Sequence, residues 1–539
     1  MAESTSEPRP GAGSADATRS PVPVVVAAAG GIASAAAGLG AATAVAGLHR
    51  TWQTPVVSVG DRVIDRVPTA VKDWAIATFG TNDKMALVVG TLVVLGVVAA
   101  GLGVLVVRRG RLGPALSATA ALVAIGATAA VAGPRAGLGA AAPAIVGGVV
   151  AAALLATLHR GVSSALAATA RAPAGAGDPR PVAPAGMGPS RRGVLFVAGA
   201  GALIAATSIG LGQILRQRFE VTAERLAVVL PRARRPLPPA PGGFEAEIPG
   251  ISPLIVPNDR FYRIDTALVV PSVSIGDWTL RVSGMVGREL ELDYAELLDR
   301  DLVEADVTLA CVSNEIGGRL VGNARWLGCR VDDLLAEAGV DPQADQVLGR
   351  SVDGFSAGFP VAALDGRPAL VAVAMNGEPL PVEHGYPARL VVPGLYGYVS
   401  ATKWLREIEL TRFGRDAGYW IPRGWSVEGP IRTQSRIDVP NGEVTAGVVA
   451  VAGVAWAGER GVTRVEVRVD DGPWREARLG PELATTSWRQ WHLPWDATPG
   501  RRRLTVRATD GTGSVQTDTV RPPAPSGATG QHSVTVTVV

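Results

Sequence analysis

The sequence predicts three consecutive architectures in one chain: an α-helical transmembrane region, an α+β domain and an all-β sandwich. Three observations carry the prediction. The chain of 539 residues is 47% hydrophobic with a mean hydropathy of +0.25, too oily for an ordinary soluble protein of this length. Its oil is unevenly distributed: residues 1–220 hold five aromatics and long uncharged Ala/Gly/Val/Leu runs, whereas residues 221–539 hold the other twenty-one aromatics. Beyond about residue 260 helical and strand periodicities alternate irregularly, and beyond about 430 only strand periodicity remains.

The first element is a membrane anchor over residues 1–216. Five runs, near 22–48, 85–107, 113–133, 141–158 and 193–215, reach the length that crosses a hydrocarbon core, and small residues suit helices packed closely in lipid. Arg108, Arg109 and Arg111 fill the link between the second and third runs, and Arg160, Arg171, Arg180, Arg191 and Arg192 lie between the fourth and fifth. The positive-inside rule then puts both links and the N-terminus in the cytoplasm and everything after about residue 216 outside. The 50–84 loop mixes cations and carboxylates and weakens the rule without reversing it. Ser190-Arg191-Arg192-Gly193-Val194-Leu195 either is a plain positive-inside flank or resembles the twin-arginine signal for export of folded proteins. His49 and His159 fall at opposite ends of their runs, so a membrane haem between them is not expected.

Residues 217–249, with Arg232-Ala-Arg-Arg-Pro-Leu-Pro-Pro-Ala-Pro, read as an extended, exposed linker. In the α+β domain, residues 250–425, strands are expected at 264–270, 278–284, 305–310, 347–352, 370–374 and 388–393, with helices at 293–300 and 331–338, the latter opened by Asp332-Asp333 and closed by Gly339. Residues 426–539 carry strand patterns at 448–456, 462–470, 474–478, 488–493, 503–510 and 534–539, with Asp471-Gly472 and Asp510-Gly511 turns. That spacing is the pattern of an immunoglobulin-like sandwich with a structural or dimerising role.

Two cysteines exclude a disulfide framework or a Cys-rich metal cluster, and a net charge of +3 indicates no nucleic-acid partner. The chemistry concentrates in two segments. In Val307-Thr-Leu-Ala-Cys311-Val-Ser-Asn-Glu315-Ile-Gly-Gly318 an apolar strand ends at a thiol followed by a polar, glycine-bearing loop, whereas Cys329 sits in an apolar stretch and reads as a core residue. The second segment, Met375-Asn-Gly-Glu-Pro-Leu-Pro-Val-Glu-His384-Gly-Tyr-Pro-Ala-Arg389, continues to Ser400-Ala401-Thr402-Lys403-Trp404. A His, an Arg and a Lys on one glycine-rich loop suit an anionic, phosphate-bearing ligand.

Together these segments resemble the sulfite oxidase family of molybdopterin enzymes: a strand-end Cys, then "MNG-PLP--HG-P-R", then "KW", in order. Asn258-Asp-Arg-Phe-Tyr262-Arg263-Ile264-Asp265 is similar to the family's early cofactor loop. The resemblance covers roughly 250–425, and the sandwich resembles the family's C-terminal dimerisation domain. It implies a molybdenum–molybdopterin cofactor with Cys311 as the catalytic thiolate ligand to the metal. His384 and Arg389 would hold the pterin and its phosphate, Lys403 with Ala401 and Thr402 would close the site, Arg263 and Ile264 would belong to the early loop, and Ser351 would supply a hydroxyl. The implied chemistry is oxygen-atom transfer.

The pattern departs from sulfite-specific members. Glu315 stands where a cation follows the ligand Cys, Ile264 replaces an Arg, and Ser400 replaces the Arg usual before the closing motif. A neutral oxide such as a sulfoxide is therefore more compatible than the sulfite dianion, unless Arg263, Arg319 or Arg325 compensates. The family's periplasmic methionine-sulfoxide reductases, however, have Asn where His384 stands, which leaves the substrate open between the two. The resemblance also implies that, with no haem domain in the chain, electrons pass to a separate electron-transfer protein or membrane redox partner, and that the sandwich makes a homodimer. The expected location is the cytoplasmic membrane, multi-pass, with the catalytic domain outside. The competing reading is a non-catalytic membrane receptor or scaffold with a degenerate cofactor domain; retention of Cys311, His384, Arg389 and Lys403 argues against it.

Overall fold

A computed structural model describes residues 22–79, 82–133, 136–170, 189–217 and 219–539. The chain divides into two compact units, Met1–Glu220 and Val221–Val539.

The first unit is all helical: α1 (Val24–Ala46), α2 (Pro55–Arg66), α3 (Thr69–Phe79), α4 (Asp83–Arg109), α5 (Leu112–Val131), α6 (Ala142–Ala170) and α7 (Pro189–Gln217). Among the described residues of the chain, five stretches are long and apolar enough to cross a membrane, Val24–Ala46, Asp83–Arg109, Leu112–Val131, Leu138–Ser164 and Gly193–Ala227. Glycine sets how they approach. A methyl on Gly31 of α1 would sit 2.7 Å from Gly103 N of α4, and one on Gly38 would sit 2.6 Å from Gly147 O of α6. The helices touch backbone to backbone, which lipid-embedded bundles use in place of a hydrophobic driving force. Arg171 and Arg180 of the cation count lie outside the described residues, as do the side chains of Ser190, Arg191 and Arg192.

The second unit opens with α8 (Thr222–Ala227), followed by β1 (Thr279–Gly284), β2 (Leu290–Asp293), α9 (Tyr294–Leu298), β3 (Leu302–Ala310), β4 (Val321–Arg330), α10 (Val331–Ala338), β5 (Gln346–Ser351), β6 (Ser356–Pro360), β7 (Leu370–Met375), β8 (Glu378–Pro379), β9 (Arg389–Val391), α11 (Gly397–Ser400) and β10 (Leu405–Thr411). One sheet runs β2-β1-β10-β5-β6, with β1 and β10 parallel. A second runs β3-β4-β7-β8, with β9 on β7. One core, centred on Trp278, Trp326, Tyr386 and Trp404, joins both sheets. The α9 helix is shorter than its periodicity predicts, fixed by an Asp293/Glu296 capping box, and α10 ends at Gly339 in the left-handed conformation.

The expected strand at 264–270 is absent. Asp265 turns inward to ion pairs with Arg263 and Lys403, leaving Ile264 and Val269 exposed; tertiary charge pairing overrides the strand preference of the apolar residues. The Pro-rich part of the 217–249 stretch, residues 231–243, has the expected irregular, largely exposed backbone, but the segments on either side of it are docked. Val221 and Phe244 are buried, Glu224 accepts hydrogen bonds from Ser274 Oγ, Ile275 N and Tyr386 Oη, and Arg225 donates to Pro379 O and Leu380 O. Polar side chains that read as solubilising instead strap the segment down.

The C-terminal part contains β11 (Gln434–Val439), β12 (Glu443–Val444), β13 (Gly447–Trp456), β14 (Val462–Val469), β15 (Arg475–Glu476), β16 (Arg478–Leu479), β17 (Arg489–Ala497), β18 (Gly500–Asp510) and β19 (His532–Val538). Sheets β11-β13-β17-β16 and β12-β19-β18-β14-β15 enclose a core of alternating residues such as Val451, Val465, Trp491, Leu504 and Val536. The strand expected at 474–478 splits: β15 pairs with β14, β16 pairs with β17 in the other sheet, and buried Ala477 is the crossover.

Candidate active site

The strand ladder between β3 and β4 closes at the pair Ala310 and Val321. Cys311 is thus the first residue beyond it, and the loop 311–320 is folded back on itself. Cys311 N donates to Leu320 O at 2.9 Å, Asn314 N to Cys311 O at 3.1 Å, and Leu320 N to Asn314 Oδ1 at 2.8 Å. Gly317, at φ +73°, makes the reversal that residues with a side chain rarely adopt. Cys311 is 9% exposed. Burial pushes its thiol pKa up, against hydrogen bonds with Ser313 and the charge of Lys403. Asn314 Nδ2, in the same loop, is buried without a hydrogen-bond partner.

Three basic side chains converge from the second segment. Asn376 and Gly377, both with positive φ, form the two-residue turn between β7 and β8 that an Asn-Gly pair favours. Asn376 Nδ2 then donates to Asn258 Oδ1 and Val256 O, tying this turn to the early loop. His384 is buried; its Nε2 lies 3.2 Å from Asn258 O, which can only accept, so that nitrogen carries the proton. Burial, then Arg389 and Lys403, lower its pKa to about 4, and the ring is neutral at pH 7. Gly385, at φ +111°, lets the chain pass close by: a methyl there would meet Arg389 Cβ and Lys403 Cα at 3.1 Å.

Arg389 is 3% exposed. Its guanidinium donates to His384 O at 3.1 Å and Ala401 O at 3.5 Å and lies 5.1 Å over the Trp326 ring. Among the described residues no carboxylate pairs with it, and burial lowers its pKa to about 10. Lys403 Nζ donates to Glu383 O at 3.0 Å and to Asp265 Oδ2 at 3.3 Å; burial lowers its pKa to about 8 against the raising effect of Asp265. Of the two buried cations only Lys403 meets a carboxylate, Asp265, which Arg263 also engages at 2.8 Å.

Among the remaining sequence candidates, Ser351 is buried and its hydroxyl accepts from Asp353 N at 3.3 Å. Asp353 joins the cluster electrostatically: burial raises its carboxyl, and Asp265 and Lys403 act on it in opposite directions. Ala401 contributes its carbonyl. Thr402 spends its hydroxyl on Gly349 O, and Ile264 is 46% exposed; neither side chain is drawn into the cluster. Sequence reading of single residues missed Tyr262 and Tyr396. Both phenols lie in the field of Cys311, and burial pushes them up, Tyr396 to about 12. Their only signal was position, within the early loop and beside the closing motif. Of the cations proposed to offset Glu315, Arg325 is committed to Asp306 through two hydrogen bonds of 2.9 and 2.8 Å. Glu315 and Arg319 are exposed.

The model of the oxidoreductase molybdopterin binding domain matches residues 267–420. Sulfite oxidase of Gallus gallus is 30% identical over 335 residues, 52% of this chain and 72% of that protein. The chain belongs to the sulfite oxidase family of molybdopterin oxidoreductases. The mitochondrial sulfite oxidase of Homo sapiens is 32% identical over 321 residues, 50% of this chain and 58% of that one. An uncharacterized oxidoreductase, YuiH, of Bacillus subtilis is 34% identical over 152 residues and 74% of its length. The chain thus spans somewhat under two thirds of the length of its mammalian sulfite oxidase relatives. The sulfane dehydrogenase SoxCD of Paracoccus pantotrophus shares 26% identity over 49% of this chain and 74% of that one, with a TM-score of 0.44.

In this sulfite oxidase family member the donor set fits the pterin cofactor. A soft sulfur stands at a strand end, and Arg389, buried with only carbonyls and a ring for partners, is left needing an anion.

Proposed function

We propose that this chain is a membrane-anchored molybdopterin oxidoreductase that transfers an oxygen atom to or from a small molecule such as a sulfoxide or sulfite, outside the cytoplasmic membrane. The observation that carries the reading is the buried guanidinium of Arg389, which bonds only carbonyls, His384 O among them, on the segment that also carries Lys403. A pterin phosphate satisfies that charge, and ligation by the metal holds the Cys311 sulfur as thiolate despite its burial. When bound, the cofactor supplies two-electron redox chemistry and the oxygen-accepting metal. The chain's own residues do the rest. Arg389 and Lys403 bind the phosphate, neutral His384 offers its ring as a non-charged partner to the pterin, and Asp265 orients Lys403.

For a sulfoxide, the overall reaction takes up two electrons and two protons and yields a thioether and water; for sulfite, water supplies the oxygen and the electrons leave. Glu315 within the ligand loop and the commitment of Arg325 to Asp306 support a neutral oxide over a dianion. The electrons pass to or from a separate carrier protein or a membrane redox partner. We assign residues 1–216 to the anchor, 217–249 to a docked strap, 250–425 to the catalytic domain and 426–539 to an immunoglobulin-like module that pairs two copies.

Metal analysis of the purified chain beside Cys311→Ser tests the reading. One molybdenum per wild-type chain and none, or an altered metal spectrum, in the variant is expected; a metal-free wild type purified from a host that makes the cofactor refutes it. A substrate panel then decides the guest, and turnover of sulfite as fast as of any sulfoxide overturns the preference for a neutral oxide. A C-terminal reporter found in the cytoplasm overturns the orientation.

A further inference from the structure

The C-terminal sandwich holds more of the catalytic loop than a dimerisation module needs. Strand β3, which ends at Cys311, is an edge strand of its sheet. The 486–488 turn of the sandwich covers that edge: Thr308 N donates to Thr486 O at 3.0 Å, Thr486 Oγ1 to Asp306 O at 2.6 Å, and Trp488 N to Thr308 Oγ1 at 2.8 Å. The loop after Cys311 is gripped from the same side. Arg436 on β11, 6% exposed, donates through Nη1 to Gly318 O at 2.7 Å, through Nη2 to Ser252 Oγ at 2.7 Å and through Nε to Asp438 Oδ1 at 2.6 Å. His532, whose Nδ1 accepts from Ile437 N at 3.0 Å, presents its ring to Gly317 so closely that a methyl there has no room. A methyl on Gly530 would meet Ile316 Cδ1 at 2.7 Å.

We propose that the sandwich positions the metal-ligand loop, with Arg436 and His532 as positioning residues that fix Ile316–Gly318 and through them the orientation of Cys311. The loop has its own closure at Asn314 and Leu320, but its outer half is bonded to the rest of the molecule mainly through these sandwich contacts. A guanidinium with all three nitrogens engaged and buried is a rigid clamp, because each donor restricts the other two. This inference rests on Cys311 being the ligand.

The test uses the full-length holoprotein in detergent with three variants. Arg436→Lys keeps the charge but loses the fork; Asp438→Asn keeps Arg436 but weakens its third anchor; Ser252→Ala removes a bond that does not reach the loop. Two readouts are followed: amide exchange at Cys311 and Leu320, and the electron paramagnetic resonance signal of the half-reduced metal. Arg436→Lys is expected to speed exchange about ten- to hundredfold, the loss of one charge-assisted buried hydrogen bond, to shift the metal signal, and to lower kcat with KM unchanged. Asp438→Asn and Ser252→Ala, each loosening one of the two anchors that hold the guanidinium on the loop, are expected to move both readouts the same way by less. Folded Arg436→Lys with wild-type exchange and signal overturns the proposal; if that variant does not accumulate, wild-type behaviour of Asp438→Asn does so. A wild type without molybdenum refutes the reading of Cys311 instead, and the exchange data still decide whether the clamp exists.

Discussion

Arg389 and Arg325 offer a matched pair of perturbations. Both are arginines largely removed from solvent in the catalytic domain, yet their surroundings differ. Arg325 is locked to buried Asp306 by two hydrogen bonds, whereas Arg389 has carbonyls and the Trp326 ring but no carboxylate. Holding Arg389 charged at a pKa of about 10, against an ordinary value near 12.5, costs the cofactor-free fold about 3 kcal/mol at 1.36 kcal/mol per pH unit. Arg389→Met recovers that cost and forfeits one or two hydrogen bonds to carbonyls, about 1–3 kcal/mol. The two nearly offset, so cofactor-free Arg389→Met is expected within about 2 kcal/mol of wild type. Arg325→Met strands a buried carboxylate and is expected to cost about 3–5 kcal/mol. Denaturant unfolding of protein from a host unable to make the cofactor reads both values, and molybdenum content from a competent host reads the other half: Arg389→Met loses the metal and Arg325→Met retains it. If Arg389→Met destabilises the cofactor-free protein as much as Arg325→Met, Arg389 is an ordinary structural cation and the fit argument fails.

His384 gives a pH signature. Its folded pKa is lowered to about 4, so the folded state binds fewer protons than the unfolded chain between about pH 4 and 6.5; stability is full above 6.5 and falls as pH drops through that window. His384→Gln flattens this acid limb in the cofactor-free protein, and an unchanged limb contradicts a buried neutral ring. Lys403 acts at the other end: with its pKa lowered to about 8, its destabilisation is complete below 8 and relieved as pH rises towards 10.5, so cofactor-free Lys403→Met loses that alkaline gain. Gly385→Ala, at φ +111°, is expected to cost about 1–3 kcal/mol in unfolding free energy and to lower molybdenum occupancy by displacing Arg389 and Lys403, which a methyl there would crowd.

Much of this was legible in the residues because the signals were local. The strand ending at Cys311, the Asn376-Gly377 turn and the Gly339 helix stop are each set by neighbours a few positions away. The failures share one cause, which is long-range polar pairing. Asp265 is drawn into a buried ion pair by a lysine 138 residues on, and the strand expected around it does not form. Glu224 and Arg225 look like solvated charges until Tyr386, Ser274 and the carbonyls of Pro379 and Leu380 surround them. The split of the 474–478 strand depends on which of two sheets offers a free edge, and no period in the sequence encodes that.

The same electrostatics bear on the proposed route to the outer face of the membrane. Without its cofactor the site buries Arg389 with no carboxylate partner among the described residues and leaves Lys403 to share Asp265 with Arg263, and burial opposes both buried charges. A phosphate-bearing ligand removes the conflict, so binding and folding of this region are coupled: by mass action, ligand at a thousand times its Kd adds about 4 kcal/mol to the stability. A catalytic domain stabilised in this way is best completed where the cofactor is made and then moved across folded. An unfolded-chain export route would require the site to assemble afterwards, with Arg389 buried and unmatched in the interim. That is a physical reason to test Ser190–Leu195 as an export signal for folded protein against the plain positive-inside flank. Replacing Arg191 and Arg192 by lysine keeps the positive-inside charge and abolishes a twin-arginine signal. Retained outside placement of the molybdenum-loaded domain in that double variant refutes the reading, and cytoplasmic accumulation of loaded protein sustains it.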